Sequence, residues 1–160
     1  MEYNGITLTE DMIWALSIAA IASYAIRAFY CNTLKKTLDL VSEENRLMKP
    51  KMVWLAMIPL FSIYWNFVVA SRMSDSLTNE FYDRKIPEEE DPGKKTGYIF
   101  SMLVALASLP LFQGFTLVVG LFSIIFFIKY WKTVDNFRVL LKEHNLFLAQ
   151  TKEREEHETV

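Results

Sequence analysis

Arg138 and His144 stand six residues apart, the Arg-x5-His spacing of some helical RNases, and this is the nearest the chain comes to a catalytic pair. The two residues fall in an amphipathic stretch where such a spacing arises readily, so the solvated-face reading is preferred. The acidic run 88–91 (EEED) has the oxygen ligands of a cation site, but a charged loop between apolar segments is its plainer reading. Asn66, next to Trp65, is the clearest uncharged polar side chain inside an apolar run. It has the chemistry to line a pathway or hold a ligand. Its simpler role is a hydrogen bond across helices, an effect of about 0.6–2 kcal/mol. No nucleophile elbow, Walker loop, HExxH or metal-ligand cluster occurs, and Cys31 is the single cysteine, which excludes an internal disulfide or a multi-cysteine cage. We therefore expect no catalytic, cofactor-binding or metal-binding residues and no cofactor.

The elements that carry these residues are unusual. Residues 52–70 and 96–128 contain no charge at all, and 12–31 contains only Arg27. Such runs fit a bilayer, whose hydrocarbon core is about 30 Å thick and is crossed by a helix rising about 1.5 Å per residue. They lack the polar stripe of a soluble core helix. Glu2, Glu10 and Asp11 precede the first run without any Lys or Arg, unlike a cleavable signal peptide, so we expect 12–31 to be retained. Trp14 at one end, with Phe29 and Tyr30 at the other, suits an interfacial setting, and Arg27 is near enough to its end to snorkel.

Pro59 interrupts 52–70 and must kink or break it. As one helix 96–128 would be about 50 Å long and would need a tilt of roughly 50°. Pro110 and Gly114 supply a break instead, giving a hairpin of about 96–110 and 115–131, with Tyr98, Tyr130 and Trp131 meeting at one interface. The intervening segments 32–51, 71–95 and 132–160 are polar. They carry helical apolar stripes (Leu34, Leu38 and Val41; Met73, Leu77 and Phe81; Val134, Phe137, Leu141, His144 and Leu148). We expect amphipathic helices there, the first lying along the membrane surface and ending at Pro50.

All 17 Lys and Arg residues belong to those three polar regions: six in 27–51, five in 72–95 and six from 129 onward. Positive residues near membrane segments stay cytoplasmic. All fall on one side if 52–70 enters and leaves by the same face around Pro59, with the N-terminus outside and the C-terminus cytoplasmic. Four full spans would leave six positives outside and 11 inside. Hydropathy favours full spans and charge favours re-entry; the charge count tips our expectation towards re-entry. The net charge of −2 gives no reason to expect a nucleic-acid partner.

Small residues recur at helix-packing spacing: Ala15, Ala19 and Ala22; Ser101, Ala105 and Ser108; Thr116, Gly120 and Ser123. In lipid, close approach at small residues holds helices together, either within the chain, the expected reading, or between copies. Ion-coupled transport is disfavoured because Asp and Glu are absent from the apolar runs.

Around residues 54–65 the sequence WLAMIPLFSIYW, followed by FVVASRMSDSL, resembles a bacterial membrane family known only as domain-of-unknown-function family 4328. The matching positions are Trp54, Pro59, Phe61 and Trp65. Ser62 occupies the neighbourhood of the family's Asn, and the second proline of its break is missing. The resemblance, centred on 52–77, implies a bacterial inner-membrane location and carries no activity. The expectation is thus an all-α, single-domain polytopic bundle of 160 residues. Its expected role is a non-enzymatic scaffold, accessory subunit or interaction protein whose partners are the bilayer and a membrane protein or further copies of itself. The alternative is a homo-oligomeric channel or pore-forming effector.

Overall fold

Thr9 starts the first long helix for a local reason. Its hydroxyl accepts from the Met12 amide at 3.4 Å, and Glu10 and Asp11 occupy the first turn, where the helix dipole favours negative charge. Helix α1 then runs Glu10–Leu40 unbroken. A 3-10 segment, Pro50–Met57, opens on its proline, and α2 spans Phe61–Asp83. Helices α3 (Lys94–Ser108) and α4 (Thr116–Glu158) follow, and among the described residues the only strand pairing is a two-residue antiparallel one, Glu2–Tyr3 with Ile6–Thr7. The computed structural model describes residues 2–3, 6–7, 9–87, 91–109, 114 and 116–158. Two helices, α1 and α4, are long and apolar enough to cross a membrane.

The segment expected as a surface helix from Asn32 is, over residues 32–40, an extension of α1. Asn32 is no boundary: α1 runs through it, and the Thr33 and Thr37 hydroxyls donate back to the carbonyls of Phe29 and Thr33, four residues earlier in the same helix. The stripe Leu34, Leu38 and Val41 is fully buried beneath the other helices rather than laid on a surface. The helix also stops at Leu40, well before Pro50, because residues 41–49 turn back towards α2. Residues 71–83 likewise continue α2, and 132–158 continue α4.

The run 52–70 is not one helix. The chain reverses at Pro59–Leu60, where Leu60 takes a left-handed φ of 63°. The 3-10 segment then lies back along α2, since the Trp65 indole donates to the Met52 carbonyl at 2.9 Å. The antiparallel register continues down to the Leu47 amide on the Ser76 hydroxyl, also at 2.9 Å, so both ends of the run return to the same end of the molecule. Between α3 and α4 the chain reverses again. Gly93 lies near Thr133, Gly97 near Tyr130, and Phe100 near Phe127 with ring centroids 5.4 Å apart, an antiparallel pairing. Pro110 and Gln113 lie outside the described residues; Gly114 is described, and a side chain there would meet nothing within 4 Å.

The core sits at the polar end of the chain. Leu34, Leu38, Met73, Leu77, Val134 and Leu141 are 0–1% exposed, whereas Ile18, Ile21 and Leu117 are 65%, 71% and 84% exposed. Apolar stripes at helical spacing on otherwise polar segments pack against one another, while the apolar half of α1 stays bare and that of α4 is covered only on the side facing α3. Tyr130, expected at an interface with Tyr98 and Trp131, is instead buried in an aromatic cluster with Tyr30, Phe100, Phe127 and Trp131. Its hydroxyl is buried without a hydrogen-bond partner among the described residues, whereas the Trp131 indole N–H finds the Thr33 hydroxyl at 3.0 Å.

Candidate functional site

Where the packed core gives way to the bare apolar halves, α1, α3, α4, the 3-10 segment and the start of α2 enclose a cavity of about 550 Å³. A cavity of this size is within the range of small-ligand pockets, about 300–1,000 Å³. Its walls are largely apolar, with Phe100, Val104 and Phe127 prominent, and no carboxylate lines it. Four polar side chains reach it: Ser23, Arg27, Asn66 and Ser123. Ser23 is committed to the Ala20 carbonyl at 2.8 Å. Neither Asn66 nor Ser123 has a side-chain hydrogen bond among the described residues, and Arg27 has no ion pair there.

Each polar group is placed by its element. Asn66 follows Trp65 on the first turns of α2, which the indole–Met52 bond holds against the 3-10 segment. Arg27 lies one turn before Tyr30 and Cys31, where α1 enters the core. Ser123 is on the α4 arm of the hairpin. The arrangement has cation and amide donors at one end and hydrocarbon along the wall. It can hold an amphiphilic anion, and it has no nucleophile–base pair.

A second polar constellation lies in the core beneath it. Glu80, 2% exposed, accepts from the Ser42 amide at 3.0 Å and from the Ser42 hydroxyl. It also accepts from the Asn45 amide at 2.9 Å and from the Arg84 guanidinium at 2.7 Å. Arg84 continues to the Leu40 carbonyl at 3.1 Å and to Asn145 on α4 at 2.5 Å. Burial pushes the Glu80 carboxyl up, but these donors stabilise the charged form more strongly, so its pKa lies below the ordinary value. This network ties the end of α1, the following turn, α2 and α4 together. It is a structural latch, invisible in sequence because its bonded partners are up to 61 residues apart.

The other sequence candidates scatter. Arg138 pairs with Asp135 at 2.7 Å. His144, six residues on, lies about 240° further around the helix, on a different face. Asp91 pairs with Lys94, while 88–90 lie outside the described residues. Ala15, Ala19 and Ala22 are exposed, Gly120 has open space where a side chain would go, and Ala105 is half-buried. Ser101 is fully buried and donates to the Gly97 carbonyl at 2.8 Å. The tightest crossing is at Gly97 itself, where an added Cβ would sit 2.7 Å from the Ala70 Cβ and 2.8 Å from Tyr130. Gly97 and Ser101 form a small-xxx-small pair legible in the sequence, one step upstream of the stripe read from Ser101, Ala105 and Ser108. Among the described residues no three His, Cys, Asp or Glu side chains converge on a metal site.

No protein-family model, curated protein or solved structure matches the chain.

Proposed function

We infer that the chain is a small multi-pass membrane protein that works by association, as a scaffold or interaction protein, with a second copy or another membrane protein as partner. One observation carries this reading: a tightly packed polar-end core supports a long apolar half of α1 that is wholly exposed and an apolar half of α4 that is largely exposed beyond its pairing with α3. In lipid, apolar exposure alone is unremarkable, but α1 also carries Ala15, Ala19 and Ala22 within one narrow sector, the small-residue surface through which helices approach. On this reading α1 spans with its N-terminus outside. The α3–α4 hairpin dips through the bilayer, and residues 52–70 re-enter around Pro59 on the cytoplasmic side, where the basic residues and the C-terminus gather. The resemblance to family 4328 at Trp54, Pro59, Phe61 and Trp65 supports a bacterial inner-membrane setting.

A pore of several copies needs polar groups for its lumen. On the bare half of α1, Ser17 and Ser23 are both turned onto their own helix, donating to Ile13 and Ala20 carbonyls at 2.8 Å. That favours association over conduction. Single cysteines on α1 in native membranes test it. Cross-linking, to a copy or to another membrane protein, is expected at Ala15, Ala19 and Ala22 but not on the opposite face at Ile13 and Tyr24. Uniform absence of cross-links on both faces, or ion flux through the purified protein in liposomes, would overturn the reading.

A further inference from the structure

We propose that the cavity between α1, α3 and α4 is a binding site for an anionic phospholipid of the inner leaflet, its phosphate on Arg27 and Asn66 and an acyl chain along the α3–α4 wall. Charge complementarity is the first argument. Arg27 is a guanidinium with no carboxylate partner among the described residues, in a cavity lined by no acid. Guanidinium is the side chain best matched to phosphate oxygens, and the Asn66 amide beside the same space offers a further donor without a competing bond. Depth is the second. From Glu10 to Arg27 α1 rises about 25 Å, close to one hydrocarbon thickness, so Arg27 reaches the headgroup layer opposite the acidic N-terminal turn. That layer is the one the basic residues mark as cytoplasmic, where anionic lipids concentrate. Shape is the third. The wall beside Arg27 is hydrocarbon on both hands, with Phe127 and Phe100 one turn towards the core against Tyr30 and with Ile124 and Val104 completing a lining that accepts an acyl chain.

The inference rests on membrane embedding but not on association, because occupancy is read per chain whatever the oligomeric state. The full-length protein is delipidated in mild detergent and titrated with phosphatidylglycerol, phosphatidylcholine or inorganic phosphate. Bound lipid is counted by native mass spectrometry and stability followed by melting temperature. One phosphatidylglycerol per chain is expected, with a raised melting temperature, and neither effect with phosphatidylcholine or inorganic phosphate. Arg27→Gln should weaken phosphatidylglycerol binding roughly tenfold, Arg27→Lys should retain much of it, and Lys35→Gln, whose lysine pairs with Asp39 outside the cavity, should leave it unchanged. Equal uptake of the two lipids, equal stabilisation by inorganic phosphate, or equal weakening by Lys35→Gln would overturn the proposal. If Arg27→Gln fails to fold, the lipid selectivity of the unmodified protein and of Arg27→Lys decides the matter.

Discussion

Glu80 shows how a single buried charge can organise a small helical protein. Its partners are supplied by Ser42, Asn45 and Arg84, so truncating it leaves Arg84 without its carboxylate in a largely buried setting. Glu80→Ala is expected to destabilise the fold by about 3–5 kcal/mol, read as a fall in melting temperature in detergent. The sign of the pH effect follows from the lowered pKa. The stabilisation is fully present above the ordinary carboxylate range, near pH 4–5, and is lost as pH falls through the still lower folded value. Melting temperature should therefore drop steeply on acidification below about pH 4, and Glu80→Gln should flatten that drop. Nothing in the sequence singles Glu80 out among 19 acids, because its environment is assembled from distant turns. Asn66 was legible, since an amide within an uncharged run stands out against its neighbours. Arg27 was read only as a snorkelling residue, because its cavity is made by four other elements.

At the scale of elements, the crossing of α3 over α2 and α4 depends on Gly97. Both obstructing groups are close, and the Ala70 Cβ cannot swing away. Gly97→Ala should cost about 1–3 kcal/mol as an overpacked contact, despite alanine's better helix propensity. Gly120→Ala, with open space around it, should be neutral or slightly stabilising within the chain, and thermal melts of the two variants side by side check the contrast. Breaks were easier to read than continuities. Pro59 announced the reversal of 52–70 because proline cannot sustain a helix interior, and the length of 96–128 demanded a turn. A change from apolar to polar composition, as at Asn32 and Ser71, does not interrupt backbone hydrogen bonding, so boundaries placed there fall inside α1 and α2. The stripes of α1 and α2 and the first part of that on α4 (Val134, Phe137 and Leu141) pack against one another, whereas Leu148, read as part of the last stripe, is 45% exposed; which part would be covered needed the tertiary arrangement.

For the whole molecule, the decisive feature is that the flanks of the 52–70 run meet. Ser42 and Asn45 before it bond Glu80 after it, which two segments on opposite faces of a bilayer cannot do. The re-entry around Pro59 proposed above requires this meeting of the two flanks. The most direct test is single-cysteine labelling in sealed membrane vesicles of known orientation. Glu44→Cys and Tyr82→Cys replace exposed residues on the two flanks, Glu10→Cys reports the start of α1, and native Cys31, buried at 1% exposure, contributes little background. Both flanks are expected to react with membrane-impermeant reagent only from the cytoplasmic side, and Glu10→Cys only from the outside. Labelling of positions 44 and 82 from opposite sides would contradict the account.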